Sequence, residues 1–176
     1  MKRKILYSLV ALVALYAAYT IGWNVSNNAT SAVTPVAAVE TLPLPNTYDL
    51  WVMTNKARQN AGLSPLRLAP KLNVSASNKC ADMVSKNYWG HNDPSGRTPW
   101  HFITDAGYRY YHAGENIAYG YLSSQPLFDG WMQSKVHRDD ILNANYADVG
   151  FGICHSPNFA NDGPEYIVVQ HFASPR

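Results

Sequence analysis

The hydrophobic period of this chain changes part-way along it, and that change constrains the fold more than any other feature. Leu50, Met53, Ala57 and Ala61 fall at the i, i+3, i+4 spacing of one helix face that begins near Tyr48, and Gly62 supplies a stop. After a turn at Pro65, Pro70 suits a first helical turn. Leu72, Ala76, Cys80, Met83 and Val84 then lie along a second face as far as about Asn87. The pattern predicts a short helix over 98–106 stopped by Gly107, another over 125–134 through Leu127, Trp131 and Met132, and a further helical turn over 139–143. In the last third, 149–153 and 166–172 are β-rich runs separated by Asn161-Asp162-Gly163-Pro164, a strand, turn, strand pattern. Helices first and strands later predict an α+β layered fold.

The amino-terminal region fixes the setting of this domain. Residues 1–4 carry Lys2, Arg3 and Lys4, and 5–23 form an apolar segment without a charged residue. As a helix it reaches roughly 28 Å, about one hydrocarbon thickness, and the basic flank keeps its start cytoplasmic. A single-pass anchor with the following domain outside the cytoplasm is expected; cleavage at Ala29-Thr30-Ser31, giving a secreted protein, is the alternative. Residues 24–46, rich in Ser, Thr, Asn, Ala and Pro, read as a flexible stalk, which leaves 47–176 as one domain. Without the three basic flank residues, 11 of the 14 Lys and Arg remain against 12 Asp and Glu. A nearly neutral domain with no basic run lacks the footprint of a nucleic-acid binder.

Six histidines, at 91, 101, 112, 137, 155 and 171, form no tight metal motif by spacing, and His91 falls in the dense turn cluster 90–96. Glu115 stands out, because a carboxylate that follows Gly114 and enters an apolar stretch needs a partner. Cys80 and Cys154 are the two thiols: they are either a disulfide worth roughly 4 kcal/mol at most, or two buried free cysteines. Ser134 has no strained elbow around it, and Cys80 lies on an apolar helix face, so neither supports nucleophilic catalysis. Tyr108, Tyr110 and Tyr111 with His112 form an aromatic cluster expected to pack between layers, the alternative being that it lines a groove.

Six blocks in order carry a resemblance. His112 to Ala118 is similar to the "GENIA" signature of the CAP superfamily, the SCP or cysteine-rich secretory/antigen 5/pathogenesis-related-1 domains. Asn55-Lys56-Ala57-Arg58 with Gly62-Leu63-Ser64-Pro65-Leu66 resembles the bacterial members' opening, and Tyr88-Trp89-Gly90-His91 resembles their histidine block. Trp131 to Arg138 with Ile141-Leu142 resembles "W..S..HR..IL". Val149-Gly150-Phe151-Gly152 resembles "GVG", and Gln170 with Phe172 the closing "Q.F". The resemblance implies a three-layer α-β-α sandwich and a cleft holding two histidines and two acids, which map onto His91, Glu115 and His137. The fourth does not transfer, since Ser134 occupies its place; Asp129 and Asp140 are the available substitutes.

Two imidazoles and a carboxylate can hold a divalent cation such as zinc, or move protons near neutral pH. Equally, Glu115 can lie hydrogen-bonded between His91 and His137 as a purely structural cluster. The leading expectation is an exported, non-catalytic domain that binds a lipid, small-molecule or envelope ligand in this cleft. The alternatives are a metal-dependent hydrolase of peptide or envelope polymer, and a structural interaction module.

Overall fold

The computed structural model describes residues 43–176. The basic flank 1–4, the apolar segment 5–23 and stalk residues 24–42 lie outside the described residues. Among those described, no helix is long and apolar enough to cross a membrane.

Helix α1 (Thr47–Asn60) starts at Asn46, whose side chain accepts from the Asp49 backbone N–H, and Asn46 N–H also donates to Ser124 Oγ at 3.0 Å. A short strand β1 (Arg67–Leu68) leads into α2 (Pro70–Ser85), which opens on a proline where a missing N–H costs nothing. Next come α3 (Trp100–Asp105), β2 (Tyr110–Tyr119), α4 (Ser124–Gln133), α5 (Lys135–Ile141), β3 (Asp148–Ser156) and β4 (Glu165–Pro175). The strands form one sheet in the order β1-β3-β4-β2; β1 is parallel to β3, and the other pairs are antiparallel. β2 is therefore an edge strand.

The expected α+β sandwich is present. On one face, Ala76, Cys80 and Met83 of α2 pack on Ile117, Ile167 and Val169, and Leu72 packs on Ile103 and Ala173. On the other, Leu50, Leu127, Trp131 and Ile141 from α1, α4 and α5 cover Ala118, Phe151, Val168 and Phe172. Each of the buried Leu, Ile, Val, Met and Phe side chains among them contributes about 1.5–3 kcal/mol. The β3 glycines set the spacing of the first layer. A Cβ on Gly150 would collide with the Leu72 backbone, and one on Gly152 with the Ala76 backbone. Cys80 and Cys154 are joined as a disulfide, with Cα atoms 6.0 Å apart, tying α2 to β3.

Three features differ from the sequence expectation. The strand β2 runs between α3 and α4, so the strands do not all follow the helices. Its Gly114, Glu115 and Asn116 are poor strand formers, and residues 114–118 are buried on both faces, which erases the alternation. The helix predicted over 139–143 spans Lys135–Ile141 instead, because Ser134 is at once the C-cap of α4 and the N-cap of α5, in an extended conformation. Of the three tyrosines, Tyr108 is buried and donates to Asp148 Oδ2, whereas Tyr111 is 68% exposed.

Candidate functional site

Glu115 points from β2 toward the α2 face, with 1% of its side chain exposed. A carboxylate this deep needs partners for both oxygens. Oε1 lies 2.7 Å from His91 Nδ1, and Oε2 lies 2.9 Å from Nε2 of His171, its cross-strand neighbour on β4. His171 is fully buried, and its Nδ1 is 2.7 Å from Ser75 Oγ on α2. The result is a continuous chain of hydrogen bonds, Ser75–His171–Glu115–His91, from the helix layer to the surface. The second imidazole on Glu115 is thus His171 and not His137. Sequence reasoning missed it, although a polar residue at the parity of Ile167, Val169 and Ala173 in a buried strand was the available signal.

Burial works to raise the Glu115 carboxyl. Hydrogen bonds from His171 and His91, helped by the charge on Lys79, outweigh it and hold the group below its ordinary value. The hydrogen bond to Glu115 raises the His91 imidazole above its ordinary value against its own partial burial. The His91 side chain is 53% exposed, so it presents an oriented, readily protonated ring to solvent. The loop carrying it is fixed from beneath by Lys79, another residue the sequence reading passed over. Its Nζ donates to Gly90 O at 2.7 Å, His91 O at 2.8 Å and Tyr88 Oη at 3.1 Å. Burial lowers its pKa, opposed by Glu115, Asp82 and Asp93.

Across the free edge of β2 stands α5, from the opposite layer. Asp140 accepts from Tyr146 Oη at 3.1 Å and faces the same cleft as His91 and Glu115, a hollow of about 370 Å³. Gly114 makes that approach possible: a Cβ there would come within 2.9 Å of Asp140 Oδ1 and strike the Tyr146 hydroxyl. Burial raises the Asp140 carboxyl, and the hydrogen bond from Tyr146 offsets only part of this. Of the two candidate acids, Asp140 lines the cleft, while Asp129 is exposed and accepts from Gln125 Nε2. His137 lines an adjoining hollow with Trp89 and Ser134. Its imidazole is held below its ordinary value by burial and by His91, and its backbone carbonyl accepts from Asn116 Nδ2 at 3.1 Å. Among the described residues, no group of three or more His, Cys, Asp or Glu side chains is disposed to hold a metal ion.

The motif residues outside the cleft hold its walls. Arg58, 1% exposed, donates to the carbonyls of Ser64, Ile141 and Asn143, bracing the end of α5 against α1. Gln170, fully buried, donates to Thr54 Oγ1 and accepts from Asn116, tying α1 to the strand that bears Glu115.

Residues 52–172 match the model of CAP, the cysteine-rich secretory protein family. The chain belongs to the CAP family. Two Bacillus subtilis (strain 168) relatives are the uncharacterized protein YkwD, 37% identical over 131 residues (74% of this chain), and the uncharacterized membrane protein YlbC, 30% identical over 101 residues (57% of this chain). The chain spans 48% of the length of YkwD and 29% of YlbC. An extracellular protein containing a SCP domain from Bacillus anthracis has a solved structure similar at a TM-score of 0.63 and 25% identity, covering 72% of this chain and 39% of that one. An outer surface protein from Borrelia burgdorferi shares the CAP fold at a TM-score of 0.60 and 16% identity, covering 73% of this chain and 92% of that one.

Proposed function

We propose that this CAP domain works outside the cytoplasm as a non-catalytic binding domain for an envelope ligand, recognised in the cleft between His91 and Glu115 on one wall and Asp140 on the other. The observation that carries the reading is the saturation of Glu115. With both oxygens committed to imidazoles, it orients His91 and is not free to take a proton from a substrate. His91 then offers a charge-capable donor at the cleft mouth, opposite a carboxyl whose pKa is raised by burial. A location outside the cytoplasm is supported by the likeness to an extracellular SCP-domain protein and to a membrane protein, together with the basic-flanked apolar segment 5–23. That segment serves as the anchor and 24–46 as the stalk. Co-sedimentation of the full-length protein with purified peptidoglycan sacculi tests the reading. Binding should fall in the His91→Ala, Glu115→Ala double variant, and unchanged binding overturns it.

A second reading has one specific observation in its favour. A half-exposed histidine whose Nδ1 is bonded to a buried carboxylate, and whose Nε2 has no protein partner among the described residues, is oriented as metal-bound histidines are. In that case His91 Nε2 and His137 are the ligands, Glu115 is an outer-shell residue, and a zinc ion would polarise a carbonyl or bound water. Elemental analysis of the protein purified under metal-replete conditions decides it: near-stoichiometric zinc that disappears in His137→Ala supports the hydrolase reading, and its absence removes it.

A further inference from the structure

Beside the charged cleft is a second hollow of about 230 Å³ that the envelope-binding reading does not use. The two share three walls. Trp89 and His91 come from one loop, and Val136 and His137 are successive residues of α5. Residues 113–115 and 117–119 are consecutive stretches of the β2 edge. At about 3.3 Å per residue, Gly114 and Ala118 lie about 13 Å apart, so the hollows are neighbouring compartments of one groove.

Their chemistry differs. The first contains Glu115 and Asp140, whereas no Asp, Glu, Lys or Arg lines the second. Aromatic surface dominates it. Trp89, 42% exposed, is held by edge contacts to Tyr119 at 4.7 Å and Phe159 at 6.4 Å, so its indole is a fixed platform and not a mobile surface ring. Opposite, the Tyr121 hydroxyl occupies the space where Gly130 lacks a Cβ. Ser134 and His137 add hydroxyl and imidazole groups for neutral hydrogen bonding.

A ligand suited to these walls has one apolar ring face, a polar neutral rim and no charge. An acyl chain would leave Ser134, His137 and the Tyr121 hydroxyl without partners. An extended peptide adding to the β2 edge would meet α5 standing across that edge and would find Ile117 O already accepting from Trp131 Nε1. We infer that the hollow between Trp89, Tyr121 and His137 is a saccharide subsite, which stacks a neutral sugar ring on Trp89 and continues the groove so that one glycan-containing ligand occupies both compartments.

This inference rests on the envelope-binding reading, and the test keeps their failures apart. Isothermal titration of the full-length protein uses tetra-N-acetylchitotetraose as the neutral glycan and palmitate as the lipid probe. Trp89→Ala should weaken the oligosaccharide about tenfold or more, the scale of one lost aromatic contact, and Trp89→Phe should restore most of it. A thermal melt of each variant checks that the fold is intact. No oligosaccharide binding by the wild type, equal binding by Trp89→Ala, or binding of palmitate alone overturns the subsite. In sacculus sedimentation, loss in the His91, Glu115 double variant with none in Trp89→Ala sinks the subsite alone, and the reverse pattern sinks the charged-cleft reading alone.

Discussion

Replacing Glu115 with Gln changes one buried charge and almost no volume, so its cost isolates what the carboxylate contributes. Gln offers one acceptor and one donor where Glu115 offers two acceptors. His171 is held from behind by Ser75 and is fully buried, so it keeps the remaining oxygen; the new NH2 must face His91. His91 is half exposed and can present an unprotonated Nδ1, so that contact is worth no more than about 1 kcal/mol, as for surface pairs. The buried contact loses its charge assistance, about 1–2 kcal/mol. The total is about 2 kcal/mol, or a fall in Tm of about 6–10 °C for a domain this size. Its pH dependence has a defined sign. Glu115 is lowered, so its contribution is present above its ordinary value of 4.5 and lost as pH falls through the depressed one. His91 is raised, so its contribution is full below its ordinary value of 6.5 and lost as pH rises through the elevated one. The stability gap between wild type and Glu115→Gln, measured by urea unfolding, should therefore be widest between pH 4.5 and 6.5. A variant as stable as wild type across that window refutes the account of Glu115. If stability falls while sacculus binding survives, the hydrogen-bonded chain belongs to folding and not to recognition.

Other substitutions probe the frame around it. Gly150→Ala drives a methyl into the Leu72 backbone, which cannot yield without lifting α2, so about 3 kcal/mol or more should be lost, read as a lower Tm or as insoluble expression. The Cys80→Ser, Cys154→Ser pair should lower the urea midpoint by the equivalent of at most about 4 kcal/mol, with the m-value rising as the denatured chain opens. Asp140→Asn runs the other way. Because the Asp140 carboxyl is raised, its ionisation costs stability as pH climbs above its ordinary 3.8, so the variant should match or exceed wild type at pH 7 and lose the advantage below that value in denaturant titrations.

Helices α1 and α2 were legible because their apolar residues keep one spacing over three or four turns, and Gly62 and Gly107, both at positive φ, mark the ends of α1 and α3. The strand β2 was not, because a strand buried on both sides shows no alternation. Glu115 announced its need for partners, but distance along the chain hides which ones: His171 is 56 residues away and enters only through strand pairing. Lys79 was hidden differently. A lysine in a helix is ordinarily solvated, and nothing local reveals that three oxygen acceptors await its ammonium. Spacing gave Asp129 and Asp140 equal standing; the start of α5 at Lys135 and the bare backbone of Gly114 bring Asp140 to the cleft.

Helix α2 carries Ser75, Lys79 and Cys80 within two turns, and it lies on glycines that admit no other spacing. A slide of one residue would misalign the hydrogen-bonded chain, the loop clamp and the covalent bridge together. One wall of the groove is therefore locked in register. The opposing wall is held by its backbone and not by its cleft-facing side chains: Arg58 and Asn116 bind the carbonyls of Ile141 and His137, while Val136 is 70% exposed. Changes that retune ligand preference without dismantling the fold belong on that second wall, so the groove works like a vice with one fixed jaw and one that can be re-cut.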